Sequence, residues 1–327
     1  MVDVSNASRV VFPEVSRTKG DVVAYYERMA ARLLVHVKGR PLSIRRYPKG
    51  LAGPGFFQKN VPAHYPPSIV RFEVPRSAVA TKKHSRSNAR ARGRDSAGAP
   101  VAEVTVYPIV SLPEHFAYLA NQGAIELHVP TARAPDLHRA DRVVFDLDPP
   151  SGMFALVRRA AHLVKDALDE LGLDTVPVAT GSKGYHLVAA IAPLDAPDAL
   201  LVAAQKVAAL VAAKHPEVLT NAFRVANRGE RVFVDWLRNM PNATVVAPFS
   251  LRARARAPVA TPLAWSEIDR VDPDAFTIED IARLCDREDS LADLAKRPSD
   301  ASAFVAAVDT AFERSGLALE TFDRFRS

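Results

Sequence analysis

The chain has 327 residues, 48% of them hydrophobic, and carries 43 basic against 37 acidic side chains for a net charge of +6. That length supports one large domain or two smaller ones, and the basic balance, with a pI near 9.5, favours an anionic partner such as nucleic acid. Cys285 is the only cysteine, which excludes an internal disulfide and a cysteine-based zinc site. No apolar run approaches the roughly 20 residues that span a bilayer, and Met1 to Arg9 lacks the apolar core of a signal peptide. The sequence predicts a soluble, cytoplasmic protein with no membrane partner.

Val10-Val11-Phe12-Pro13 reads as a short strand closed by proline. Thr18-Lys19-Gly20-Asp21 leads into a helical pattern (Val22, Val23, Tyr26, Met29, Ala30, Leu33, Leu34) that Thr18 or Asp21 would cap. Lys19 lies at that N-terminus, where backbone amides favour an anion. It reads either as part of a phosphate site or, more commonly, as a solvated lysine. Pro41 to Tyr47 is a predicted strand. After a glycine- and proline-rich turn come Phe56-Phe57-Gln58-Lys59, either a base-stacking platform with a phosphate contact or one core and one half-buried phenylalanine.

Residues 77–99 hold Lys82, Lys83, Arg86, Arg90, Arg92 and Arg94 among Ser, Ala and Gly, and read as a basic, flexible insertion rather than an element. Val101–Val110 and Ala124–Pro130 are predicted strands around a short helix at Pro113–Gln122. In the second strand His128 alternates onto the face of Glu126.

Arg-Val-Val-Phe-Asp-Leu-Asp-Pro-Pro, residues 142–150, is an apolar strand ending in two carboxylates. Asp146 and Asp148 project from one face about 7 Å apart, with Leu147 turned towards the core. The pair reads either as a polar strand end or as ligands for a divalent cation. A helix over Met153–Leu171 closes at Gly172. Val176–Thr180 and Tyr185–Ile191 are strands joined by Gly181-Ser182-Lys183-Gly184. That turn is either a plain hairpin or, with Thr180, Ser182, Lys183 and His186, a polyphosphate cradle that is neither the Walker nor the dinucleotide pattern.

Ala199–Lys214 is an alanine-rich helix. Ala222–Val225 and Arg231–Leu237 are predicted as paired strands turning at Asn227-Arg228-Gly229-Glu230. Asp235, amid apolar neighbours, is costly unless paired or liganded. It reads as a third metal carboxylate or as an ion pair with Arg238. Pro248–Arg256 alternates strictly, putting Arg252, Arg254 and Arg256 on one strand face. Helical segments near Ile278–Asp286 and Ala301–Phe312 follow and show no chemistry.

The order Phe-Asp-Leu-Asp-Pro, Gly-Ser-Lys-Gly-Tyr-His, Val-Phe-Val-Asp-Trp, Ala-Pro-Phe-Ser-Leu-Arg-Ala-Arg resembles the polymerase module of bacterial ligase D, an end-joining repair enzyme of the archaeo-eukaryotic primase superfamily. The similarity runs from about Asn6 to Leu284. It implies an α+β primase-polymerase fold with a central mixed or antiparallel sheet flanked by helices. Residues 1–290 would form the catalytic domain and 291–327 a C-terminal helical extension packed on it, as a stand-alone member without ligase or phosphoesterase modules. It implies template-dependent nucleotidyl transfer with two divalent ions, Mn²⁺ or Mg²⁺, and NTPs preferred over dNTPs.

Asp146, Asp148 and Asp235 would hold the metals. Thr180, Ser182, Lys183, His186, Arg252 and Arg254 would meet the triphosphate, with threonine at 180 where the family usually has serine. His128 would lie near the nucleotide's sugar or base. Asn6, Arg9 and Lys19 would read a 5′-phosphate, Arg9 standing for a lysine, and Phe56, Phe57 and Lys59 would meet the template. The partners implied are DNA with a gap, an overhang or a 5′-phosphate, with a ligase and Ku in a nucleoid-associated setting. Two other readings compete. A non-catalytic module bridging DNA ends does not need all three aspartates. A glycosyltransferase using a nucleotide sugar accounts for Asp146 and Asp148 but not for the arginine row.

Overall fold

The computed structural model describes residues 3–75 and 104–319, so the basic insertion at 77–99 and the end of the C-terminal extension lie outside the described residues. The strands are β1 (Val10–Phe12), β2 (Arg17–Thr18), β3 (Ser43–Arg46), β4 (Phe56–Gln58), β5 (Val70–Pro75), β6 (Val104–Ile109), β7 (Ala124–Val129), β8 (Arg142–Asp148), β9 (Val176–Ala179), β10 (Tyr185–Ala190), β11 (Leu219–Thr220), β12 (Val232–Asp235), β13 (Val245–Val246) and β14 (Thr261–Pro262). The helices are α1 (Lys19–Arg28), α2 (Ala30–Val37), α3 (Glu114–Asn121), α4 (Phe154–Glu170), α5 (Pro197–Lys214), α6 (Ile281–Asp286), α7 (Ser290–Leu294) and α8 (Ala301–Ser315). The predicted α+β architecture is what forms. A six-stranded sheet runs β11-β12-β8-β10-β9-β14, a four-stranded sheet runs β13-β7-β3-β4, and β1-β2 and β5-β6 form two small ribbons.

The six-stranded sheet is antiparallel except for β11 and β12, which run parallel. Its two faces are set by alternation along β8. Val143, Phe145 and Leu147 enter the main core with Leu187 and Ala189 of β10 and Val232 and Val234 of β12, where α4 and α5 pack. The opposite face carries Val144, Val178, Val188 and Ala190 under Leu291 and Leu294 of α7, then Asp146, Asp148 and Asp235 at its other end. One face is therefore sealed by helices, and the other is apolar at one end and acidic at the other.

Three local expectations are corrected. The helical pattern from Val22 to Leu34 is two helices, broken at Met29 (φ −86°, ψ −1°). Thr18 caps the first of them in a capping box with Asp21. The hairpin predicted over 222–237 does not form: β12 pairs in parallel with Leu219–Thr220, and Val225–Asn227 is a single 3₁₀ turn. The alternating Pro248–Arg256 segment is a loop, held by Phe249 N–H to Ala260 O (2.6 Å) and Arg252 N–H to Pro258 O (2.8 Å). Phe249 at φ +63° leaves the extended region that alternation requires. The arginines consequently do not share a strand face.

Candidate active site

β12 lies antiparallel to β8 with Asp235 directly opposite Asp146 and Phe233 opposite Asp148. This register brings one carboxylate oxygen from each of Asp146, Asp148 and Asp235 within 4.8 Å of the others. Asp146 and Asp235 are buried and Asp148 is half-buried. Burial, opposed by Arg238, pushes the Asp146 carboxyl up. Burial and the charge of Asp146 push Asp148 up, and the same two causes push Asp235 up to about 6. The only neutralising contacts among the described residues are Arg238, whose Nε lies 3.0 Å from Asp146 Oδ2 and 3.2 Å from Asp235 Oδ2, and Lys183, 3.4 Å from Asp148 Oδ1; His186 lies 3.6 Å from Asp146 Oδ1. Asp235 both joins the acidic trio and pairs with Arg238, so the two alternatives do not exclude each other. An all-oxygen donor set that its own neighbours leave short of positive charge fits a hard divalent cation.

Asp146 and Asp148 line a cleft of about 300 Å³ between the two sheets, and Asp235 stands behind them, opposite Asp146. One wall is the β9–β10 turn. Backbone N–H and Oγ1 of Thr180 both donate to Gly184 O (3.2 and 2.7 Å), so this is a hairpin whose tip presents Ser182 and Lys183 to the cleft. The Thr180 hydroxyl proton is committed to closing that turn. Both glycines are required by contact. A Cβ on Gly184 would lie 1.9 Å from Leu147 O, and one on Gly181, at φ +65°, would lie 2.7 Å from Arg252 Cγ. His186 follows in β10, opposite Asp146. Burial, then the fields of Arg238 and Arg252, push its imidazole down to about 3, so the ring is neutral at pH 7.

Arg252 and Arg254 line the cleft, but Arg252 is turned inward, donating to Thr180 O at 2.6 Å, while Arg254 is exposed. Arg256 is exposed and does not line the cleft. On the opposite wall stand His128 of β7 and Phe57 of β4, ring centroids 5.4 Å apart and nearly edge to face. Phe56 and Phe57 are 47% and 55% exposed, which settles the alternative of one core and one half-buried ring. Guanidinium groups of Arg46 and Arg45 lie over the two rings, each at 5.7 Å. Lys59 is exposed just beyond the strand. An aromatic pair held in solvent beside cations has the chemistry that stacking on a base requires.

Asn6, Arg9 and Lys19 form a separate cluster; none of them lines the cleft. The turn at Asn6 (φ +52°) folds over the start of α1, with Lys19 N–H donating to Arg9 O and Gly20 N–H to Ala7 O, both 2.8 Å. Lys19 is buried rather than solvated, with Nζ donating to Ser5 O (2.7 Å) and Oγ (2.8 Å). Burial and the charge of Arg9 push its ammonium down. Arg9 Nε is buried without a hydrogen-bond partner. Positive charge is thus concentrated at a helix N-terminus, where an anion is favoured.

Sequence reasoning did not find Glu126 as a site component. It is buried in β7 and touches His128, Arg45, Arg252 and the Ala253 amide. Its only sequence signal was its two-residue spacing from His128.

Three carboxylates on adjoining strands, beside a basic glycine hairpin of the same sheet, fit the catalytic class of nucleotidyltransferases built on a primase-polymerase fold. The sequence profile described as "LigD, primase-polymerase domain" matches residues 18–291, and the chain belongs to that family. It is 35% identical over 280 residues to the multifunctional non-homologous end joining DNA repair protein LigD of Mycobacterium tuberculosis, covering 82% of this chain and 33% of that protein. Against the bifunctional non-homologous end joining protein LigD of Bacillus subtilis it is 27% identical, over 85% of this chain and 41% of the relative. The chain thus spans between about a third and two-fifths of the length of these relatives. The structure is similar to the polymerase domain from Mycobacterium tuberculosis ligase D in complex with DNA, with TM-score 0.77 and 32% identity, covering 91% of this chain and 99% of that one. The resemblance carried by the motifs, and the fold it implied, are borne out.

Proposed function

We propose that this protein is a template-dependent DNA-directed polymerase of the primase type, filling short gaps or extending broken ends during end-joining repair of DNA, with NTPs preferred over dNTPs. The observation that carries this reading is the convergence of Asp146, Asp148 and Asp235 within 4.8 Å across the β8–β12 pair. These carboxylates would hold two divalent cations, Mn²⁺ or Mg²⁺, with Asp235 completing the site on the primer side. Bound there, such ions neutralise charge on the phosphates and make the primer 3′-hydroxyl more acidic. The 3′-oxygen forms a bond to the α-phosphorus as the bond to the β-phosphate oxygen breaks, releasing pyrophosphate and the hydroxyl proton.

The chain's own residues bind and orient. Ser182, Lys183, Arg252 and Arg254 supply donors and charge to the triphosphate, and Thr180 holds the hairpin that presents Ser182 and Lys183. His186, neutral and close to Asp146, adds a hydrogen bond without adding charge, and His128 faces the nucleotide across the cleft. Phe56 and Phe57 stack template bases, with Lys59 on the backbone, while Asn6, Arg9 and Lys19 take a 5′-phosphate at the helix start. The similarity to a polymerase domain described in complex with DNA supports DNA as the partner, and the relatives are named for non-homologous end joining, a setting in which a ligase and Ku would be the co-workers.

Primer extension on a gapped duplex with Mn²⁺ tests the reading. Wild type should extend, and Asp146→Ala and Asp235→Ala should not. Extension that survives both changes overturns it, as does a wild type that binds DNA but never extends.

A further inference from the structure

Glu126 is 1% exposed and does not line the cleft, yet its two carboxylate oxygens serve four partners. Oε2 accepts from His128 Nε2 at 2.8 Å and lies 3.5 Å from Arg252 Nε. Oε1 accepts from the Ala253 N–H at 2.9 Å and lies 3.4 Å from Arg45 Nη1. Burial alone would push this carboxyl up, but the His128 hydrogen bond, the Arg252 charge and the Ala253 amide outweigh it and hold the group at about 2. Glu126 is therefore ionised, and an ionised carboxylate only accepts.

Two consequences follow for the cleft. The His128 imidazole, pushed down chiefly by burial against the pull of Glu126, is neutral at pH 7 and must carry its proton on Nε2. Its Nδ1 is left with a free lone pair, and no other hydrogen bond to this ring forms among the described residues. Arg252, drawn on one side to the Glu126 charge at 3.5 Å without a hydrogen bond at Nε, donates through Nη1 on the other to Thr180 O, the residue that closes the β9–β10 hairpin. Glu126 thus links β7 of the four-stranded sheet to the phosphate-facing hairpin of the six-stranded sheet.

We infer that Glu126 is a positioning residue of the nucleotide site, setting the His128 tautomer and holding Arg252 against the hairpin without touching the nucleotide itself. This rests on reading the cleft as a nucleotide site. Glu126→Gln is the informative change, because glutamine keeps an acceptor for the Ala253 amide but turns a donor towards His128.

The test joins ¹⁵N-histidine NMR at pH 7.5 with titration of a nucleoside triphosphate and, separately, of duplex DNA. Wild type should show His128 protonated at Nε2. Glu126→Gln should move that proton to Nδ1 and weaken nucleotide binding by about tenfold to a hundredfold, the scale of one charge-assisted hydrogen bond, with duplex affinity unchanged. A wild-type ring protonated at Nδ1, or at both nitrogens, overturns the inference even if the variant fails to fold. So does a folded variant with undiminished nucleotide affinity. A wild type that binds no nucleotide sinks the reading of the cleft instead, and the two failures are told apart because the tautomer is read without nucleotide.

Discussion

Asp235 and Asp146 face each other across one strand pair, and Arg238 lies between them because something positive must. Replacing Asp235 by asparagine removes one of three crowded anions, so Asp235→Asn should raise the melting temperature of the cation-free protein while abolishing nucleotidyl transfer. A fall in melting temperature would show that the carboxylates are not in conflict. The stacking platform gives the opposite profile. Phe57 is 55% exposed, so Phe57→Ala should leave stability unchanged and weaken single-stranded DNA binding by about 1–3 kcal/mol, the value of one stacked base, as measured by fluorescence anisotropy. His36 supplies the pH dependence. Its Nε2 meets Asp289 at 2.9 Å, but burial outweighs that carboxylate and pushes the imidazole down. The unfolded chain takes up a proton near the ordinary value of 6.5 that the folded chain refuses, so this contribution is complete above that pH and shrinks as pH falls through it. Thermal melts at pH 7.5 and 5.5 should show a larger loss for wild type than for His36→Gln; an equal or smaller loss contradicts this.

The residue scale is also where the sequence was most legible. Asp146 and Asp148 stand two apart at the end of an apolar run, which places them on one face before any fold is known. Asp235 stood out because it interrupts a strand of buried residues. Glu126 did not, since nothing local distinguishes a glutamate beneath an arginine from one in solvent. The solvated reading of Lys19 failed for the same reason: its burial comes from the turn at Ser5 to Arg9.

At the scale of elements, periodicity located most strands and helices, and failed where pairing partners are distant. The expected 222–237 hairpin assumed that neighbouring strands pair with each other; β12 takes its partners from β8 and from Leu219–Thr220 instead. The arginine row failed because a period of two can also arise in a loop, and no local signal announced the positive φ at Phe249. The β9–β10 turn was legible as a glycine hairpin, but the need for Gly184 was not, because it comes from the carbonyl of Leu147 on another strand. Gly184→Ala forces β8 and β10 apart at the acidic end of the sheet. It should cost about 3 kcal/mol or more and lose extension activity together with stability in a denaturant titration; a variant as stable as wild type would refute the contact.

Across the whole molecule, stability is concentrated away from the chemistry. α8 packs on α5, with Phe304 1% exposed and Val308 fully buried in the main core. Phe304→Ala should cost about 3–5 kcal/mol while the nucleotide affinity of the molecules that remain folded stays at the wild-type value. A parallel loss of affinity in calorimetry would show that the helical layer also shapes the cleft. Charge acts at this scale too. With a net +6, DNA affinity should fall linearly on a log–log plot against salt, and a salt-independent affinity would leave the basic surface without a role.

The placement of Asp235 opposite Asp146 has one more consequence. A strand alternates with period two, so sliding β12 by a single residue against β8 would swing Asp235 into the helix-covered interior and bring Val234 or Trp236 out beside Asp146. Cation affinity would therefore report whether β12 has docked against β8 in the right frame. A preparation that is fully folded by circular dichroism but titrates with less than stoichiometric Mn²⁺ would contain chains whose β12 is misaligned, a defect that no bulk measure of secondary structure would reveal.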